Sequence, residues 1–189
     1  MATKSERILA DQVNLLYSLL PVGISATLVN SVVILSLHWS TFRRSILITW
    51  IAALFTITLT RVIVYALYRR DAHKIKRARF WGRVFVLGIT ASGATWGSAA
   101  FFMLYNTSLT DQIAVAFILA GMCAGAAATF SGLRSAFFGF SMPAILPQIT
   151  LFLMKGGDLY LLLGGTMLLF GILMSLTAET NRRISTASF

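Results

Sequence analysis

Charge is scarce in this sequence, and acidic charge scarcest of all. Only 12% of the 189 residues are charged and Asp and Glu together number 6, where a soluble domain carries roughly 25% charged residues. The shortage leaves too little polar surface for a water-soluble fold. The acids, Glu6, Asp11, Asp71, Asp111, Asp158 and Glu179, all fall in or beside polar breaks in the chain, which argues against a buried carboxylate relay and hence against a proton-coupled pump. Cysteine occurs once, at Cys123 inside an apolar run, so no intramolecular disulfide can form and the residue reads as a small packing group. His38 and His73 fall in breaks on opposite sides of the apolar runs and cannot jointly hold a metal or a haem. There is no phosphate-binding glycine loop, nucleophile elbow or HExxH pattern. The expectation is a non-enzyme with no cofactor and no metal.

What is abundant is apolar sequence. Hydrophobic residues make up 57% of the chain and the mean hydropathy is +0.79. They fall into six runs, 13–37, 46–68, 84–105, 113–132, 136–154 and 159–178, each near the roughly 20 residues that cross a bilayer as helix. A membrane barrel would need alternating strands of about ten residues, and within lipid only a helix satisfies its own backbone. The predicted fold is therefore all-α, a polytopic bundle of six transmembrane helices. It divides into an N-terminal segment 1–12, a transmembrane domain 13–178 and an exit helix 179–189. The first run follows the polar stretch 1–12 and is longer than a signal-peptide core, so it is expected to stay as the first helix.

The net charge is +10, yet the cations cluster at the edges of the runs, where they meet lipid headgroups rather than nucleic acid. Lys4 and Arg7, then Arg69, Arg70, Lys74, Lys76, Arg77, Arg79 and Arg83, then Arg134, and finally Arg182 and Arg183 share one side. The other side holds Arg43, Arg44 and Lys155. The positive-inside rule then places both termini in the cytoplasm, N-in and C-in. Trp39, Phe42, Trp50, Phe80, Trp81, Tyr105 and Tyr160 sit near the run ends, as interfacial aromatics do. The outer breaks 106–111 and 155–158 are too short for an extracellular binding domain.

A few residues stand out against this background. Arg61 is the one charge well inside a run, about eight residues and roughly 12 Å of helix from Arg69. It is either a ligand-binding charge or a side chain that snorkels to the headgroups or bonds a neighbouring carbonyl. Trp96, set among Ser92, Gly93, Ala94, Thr95 and Gly97, either lines a ligand pocket or packs in the core. Gly93 and Gly97, and likewise Gly121 and Gly125, repeat at four-residue spacing and are expected to form close helix-packing seams, within one chain or between two. Pro143 and Pro147 either kink the fifth helix as a hinge or sit in a static membrane helix.

Several stretches carry a family resemblance. These are Arg83-Val-Phe-Val-Leu-Gly, Ala94-Thr-Trp-Gly-Ser-Ala-Ala, the small-residue run Ala120-Gly-Met-Cys-Ala-Gly-Ala-Ala-Ala, Phe140-Ser-Met-Pro-Ala-Ile-Leu-Pro and Glu179-Thr-Asn-Arg-Arg. The opening Glu6-Arg-Ile-Leu-Ala-Asp-Gln-Val with Leu15-Leu-Tyr-Ser-Leu-Leu-Pro extends them over nearly the whole chain. Together they resemble the N-terminal six-helix membrane sensor module of bacterial hybrid histidine kinases and of GGDEF or EAL cyclic-di-GMP proteins. The resemblance implies a module of the bacterial inner membrane, a homodimer, and a last helix that feeds a cytoplasmic kinase or cyclase output domain. No phosphoacceptor helix, ATP lid or GGDEF motif is present in the 189 residues. The function expected is a sensory or anchoring module for signal transduction, partnered by the lipid bilayer and not by nucleic acid. A small transporter or channel, or a passive anchor, are the alternatives.

Overall fold

The computed structural model describes residues 4–40, 43–102, 108–130 and 132–187. The described residues form six helices and no strand: α1 Lys4–His38, α2 Arg44–Arg70, α3 Ala78–Phe102, α4 Leu109–Thr129, α5 Arg134–Lys155 and α6 Asp158–Ala187. All six are long and apolar enough to cross a membrane. Four of the expected runs lie wholly on their own helices; run 113–132 continues past the end of α4 at Thr129, and residues 103–105 of run 84–105 and residue 131 lie outside the described residues. Phe42 and Tyr105 lie outside the described residues, as do part of the 106–111 break and residues 188–189.

The largest departure from the sequence reading is at the start. Helix α1 begins at Lys4 rather than near residue 13 and has 35 residues, roughly 52 Å at 1.5 Å per residue. Its first turns are amphipathic: Glu6, Arg7 and Asp11 face outward, while Ala10 and Val13 are buried and Leu9 packs against the core. Polarity had hidden a helix whose inner face is apolar.

Helix ends follow from local chemistry. Ser108 caps α4, its hydroxyl accepting from Asp111 N at 3.1 Å while the Asp111 carboxylate accepts from Ser108 N at 3.3 Å, a reciprocal pair that also places negative charge at the helix N-terminus. Helix α5 ends at Gly156 and Gly157, with φ of 68° and 83°, a left-handed backbone that glycine adopts without steric penalty. That two-residue turn lays α6 back along α5.

Helices α3 and α5 form the most extensive pair and make the spine of the bundle. Helix α2 flanks α3, α6 flanks α5 and α4, and α1 spans α2, α3 and α4. The outer faces are apolar, with Phe117 80% and Leu87 71% exposed, which is a lipid-facing surface rather than a watery one. Many hydroxyls within the helices donate to the carbonyl one turn earlier, as Thr56, Thr58, Thr60 and Thr177 do at 2.8–2.9 Å, which meets their polar need inside the helix itself.

One end of the bundle is tied by aromatic rings. Tyr17 stacks on Tyr68 with centroids 3.9 Å apart, and Trp81 meets both edge-on. Tyr17 Oη donates to Trp81 O at 3.2 Å and Tyr68 Oη to Asn14 at 3.2 Å, joining α1, α2 and α3. Trp81 and Trp50, which lie near the ends of their runs, are buried between helices. Their indole N–H groups donate within the protein, to Asp71 Oδ2 and to Thr95 O, each at 2.8 Å.

Candidate functional site

Arg61 enters the bundle from α2 and stays there, 6% exposed. Room for it is made by Gly88 on α3: a methyl at Gly88 would sit 3.3 Å from Arg61 Cγ, tighter than ordinary contact. One turn further along α3, Ser92 Oγ accepts from Arg61 Nη1 at 3.2 Å and donates to Gly88 O at 3.1 Å. The other terminal nitrogen, Nη2, is buried without a hydrogen-bond partner. Among the described residues the side chain thus bonds the Ser92 hydroxyl and no carbonyl, and it stays buried between the helices. It is a buried cation held by one neutral hydroxyl, an arrangement that is costly unless a counter-charge is supplied.

No acid in the chain supplies it. Glu6 and Asp11 lie in the first turns of α1, Asp71 between α2 and α3, Asp111 and Asp158 at the starts of α4 and α6, and Glu179 near the far end of α6. The ion pairs among the described residues join Asp71 to Arg77 and Glu179 to Arg182 and Arg183.

A cavity of about 140 Å³ adjoins Arg61. Helix α1 contributes Gly23, Thr27 and Asn30, α4 contributes Gly121 and Gly125, and Ile89, Phe130 and Phe140 add apolar walls. A second cavity of about 210 Å³ borders the same arginine between α1, α2 and α3, lined by Tyr17, Leu20 and Phe85 among others. Arg61 is the residue common to both.

Trp96, the other candidate ligand residue, lies elsewhere. It is fully buried, edge-on to Trp50 with ring centroids 5.4 Å apart, and lines neither Arg61 cavity. The structure thus separates the two. Trp96 is a core ring one turn from Ser92, packed against Trp50 of α2, and among the described residues its Nε1 has no partner.

The four glycines expected at seams also divide. Gly93 and Gly97 face α5 so closely that a side chain at either would run into backbone, the Phe140 carbonyl for Gly93 and the Pro143 carbonyl for Gly97. This is a seam within one chain. Gly121 and Gly125 meet nothing within 4 Å where a Cβ would stand and line the Arg61 cavity instead. The four-residue spacing allows contact within one chain or between two, and within the chain it is Gly93 and Gly97 that make it. Pro143 and Pro147 belong to the first seam: Pro147 has no N–H to give the Pro143 carbonyl, and that carbonyl points at Gly97. Helix α5 is continuous through both prolines, so any bending there must move against α3.

Gly88, Ser92 and Asn30 were not singled out from sequence. Gly88 and Ser92 are four apart on α3, the spacing that puts a gap and a hydroxyl on one helical face, and Asn30 is an amide in the middle of an apolar run. His38 is buried at the end of α1, its Nδ1 3.0 Å from Ile34 O. Among the described residues no three His, Cys, Asp or Glu side chains gather as a metal site would require. The chain matches no family model, no curated protein and no solved structure, so the chemistry of Arg61 and its cavity is the guide to function.

Proposed function

We propose that this chain is a membrane-embedded sensory or anchoring module of a bacterial signal-transduction protein, of the histidine-kinase or cyclic-di-GMP type, lying N-in and C-in in the inner membrane. The observation that carries the reading is α6. It runs 30 residues without interruption from Asp158 to Ala187, roughly 45 Å, against about 30 Å of hydrocarbon. Its polar end is clasped by Glu179, which accepts from Arg182 at 2.7 and 3.0 Å and from Arg183 at 3.4 Å. A helix that leaves the membrane intact transmits a shift or rotation to whatever follows it.

Helix α6 packs on α4 and α5, and both of those border the cavity at Arg61. A ligand that favours one packing of α1 against α4 would thereby bias the position of α6, provided its affinity differs between the two packings. Function then requires a second copy and a cytoplasmic kinase or cyclase output domain in the same assembly. The excess of cations on the α2–α3 loop and at both termini supports the orientation.

The test is a fusion at Phe189 to a dimerisable kinase or cyclase reporter, assayed in membranes across candidate stimuli. Output that varies with stimulus, and becomes flat when a flexible glycine linker replaces 179–189, is the expected result. Output that is flat in both fusions, with correct insertion, would leave a passive anchor or a small transporter, and liposome flux would then decide between those.

A further inference from the structure

We infer that the cavity bounded by α1, α2 and α4 takes the anionic head of a membrane amphiphile, a carboxylate or phosphate carried on an apolar chain, with Arg61 as its counter-ion. Charge requires a partner at this point. Arg61 is 6% exposed, its Nη1 is committed to the neutral Ser92 hydroxyl, its Nη2 has no partner, and every acid of the chain lies near a helix end or in a loop. A guanidinium presents its donors as a planar fork that matches the paired oxygens of a carboxylate or phosphate.

The walls define the rest of the ligand. Ile89, Met122, Phe130 and Phe140 are apolar, while Thr27 and Asn30 offer a hydroxyl and an amide. The volume, about 140 Å³, accommodates a headgroup and the beginning of a chain but not a whole acyl tail. The remainder has an exit. Val22 and Ala26 of α1 and Gly121 and Gly125 of α4 line the cavity and are also exposed on the outer, lipid-facing surface, so the space opens sideways between α1 and α4. Glycine at 121 and 125 keeps that gap clear, since a Cβ at either position would stand in open space within the chain. A soluble anion would have to cross hydrocarbon to reach the opening, whereas an amphiphile already has its chain there.

The assignment takes the cavity of the proposed sensor as its ligand site, and occupancy is measured apart from signalling. The full chain in phosphatidylcholine nanodiscs is titrated with palmitate labelled with ¹³C at the carboxyl, followed by carboxyl chemical shift and by native mass spectrometry. A parallel preparation contains phosphatidylglycerol and no palmitate. Saturable binding of one probe per chain is expected, at least ten-fold weaker in Arg61→Gln and in Gly125→Leu and largely kept in Arg61→Lys. Gly125→Leu fills the gap at a position where a Cβ meets nothing, so it tests access even if Arg61→Gln fails to fold. Palmitate binding identifies a free fatty acid as the source, and retention of phosphatidylglycerol alone identifies a phospholipid headgroup. No saturable binding of either probe, or equal binding by wild type, Arg61→Gln and Gly125→Leu with unchanged unfolding temperatures, overturns the inference. Binding with a flat reporter fusion would retain the ligand and remove the sensor; a responsive fusion without binding would do the reverse.

Discussion

At the scale of single residues, the bundle relies on a few side chains whose polar groups are matched one to one. Asp71 is the clearest case outside the membrane-spanning segments. Its carboxylate accepts from the Trp81 indole and from His73 N, both at 2.8 Å, with the Arg77 guanidinium 3.9 Å away. The indole hydrogen bond first, then the backbone N–H and the nearby cation, hold its pKa below the usual carboxylate value. A lowered folded-state pKa means that the anchor is fully present above the unfolded-state value and weakens as pH falls through the folded one. The Trp81 indole N–H resonance should therefore shift with a midpoint below the ordinary range of Asp, and Asp71→Asn should abolish that titration. A midpoint at or above the ordinary value would show that the indole bond does not favour the charged form. Arg61 was legible in the sequence because a lone charge in an apolar run stands out. Its partners were not, since a glycine and a serine on α3 are unremarkable until α2 is laid against them.

At the scale of elements, hydrophobic length located all six helices. It could not give α1 its true start, because Glu6, Arg7 and Asp11 sit on the outer face of an amphipathic turn. Nor could spacing tell which glycine pair makes contact. Gly97 lies against the Pro143 carbonyl whereas Gly125 faces open space, yet both belong to the same four-residue pattern. The difference is measurable. Gly97→Ala drives a methyl into backbone that cannot move aside cheaply and should destabilise the protein by about 1–3 kcal/mol or more. Gly125→Ala gains helix propensity without a clash and should be neutral or stabilising by up to about 1 kcal/mol. Unfolding of both variants in the same detergent provides the comparison, and equal effects would contradict the seam between α3 and α5.

At the scale of the whole molecule, composition was enough for the class of fold: six apolar runs become six helices long and apolar enough to cross a membrane. Orientation is a separate matter, since the helices alone do not say which side they enter from. Cysteine labelling in cells resolves it. In a Cys123→Ala background, Ser40→Cys should react with a membrane-impermeant maleimide, and Ala72→Cys should react only after the membrane is permeabilised. The reverse pattern would invert the bundle and place the end of α6 outside, where no cytoplasmic output domain could be reached.

The α3–α5 spine has a consequence for biogenesis. These two helices are among the least apolar of the six, with mean hydropathies of 1.4 and 1.6, against 2.0 for α2 and 2.1 for α6. They are also the two whose apolar stretches have the largest share of buried residues. Their seam cannot close until α4, which separates them in the chain, has been made and inserted. If the helices insert in chain order, the Gly93 and Gly97 face of α3 has no α5 to close against until α4 has followed it. Any factor that attends the insertion of this chain has its work concentrated in that interval, between the emergence of α3 and the arrival of α5.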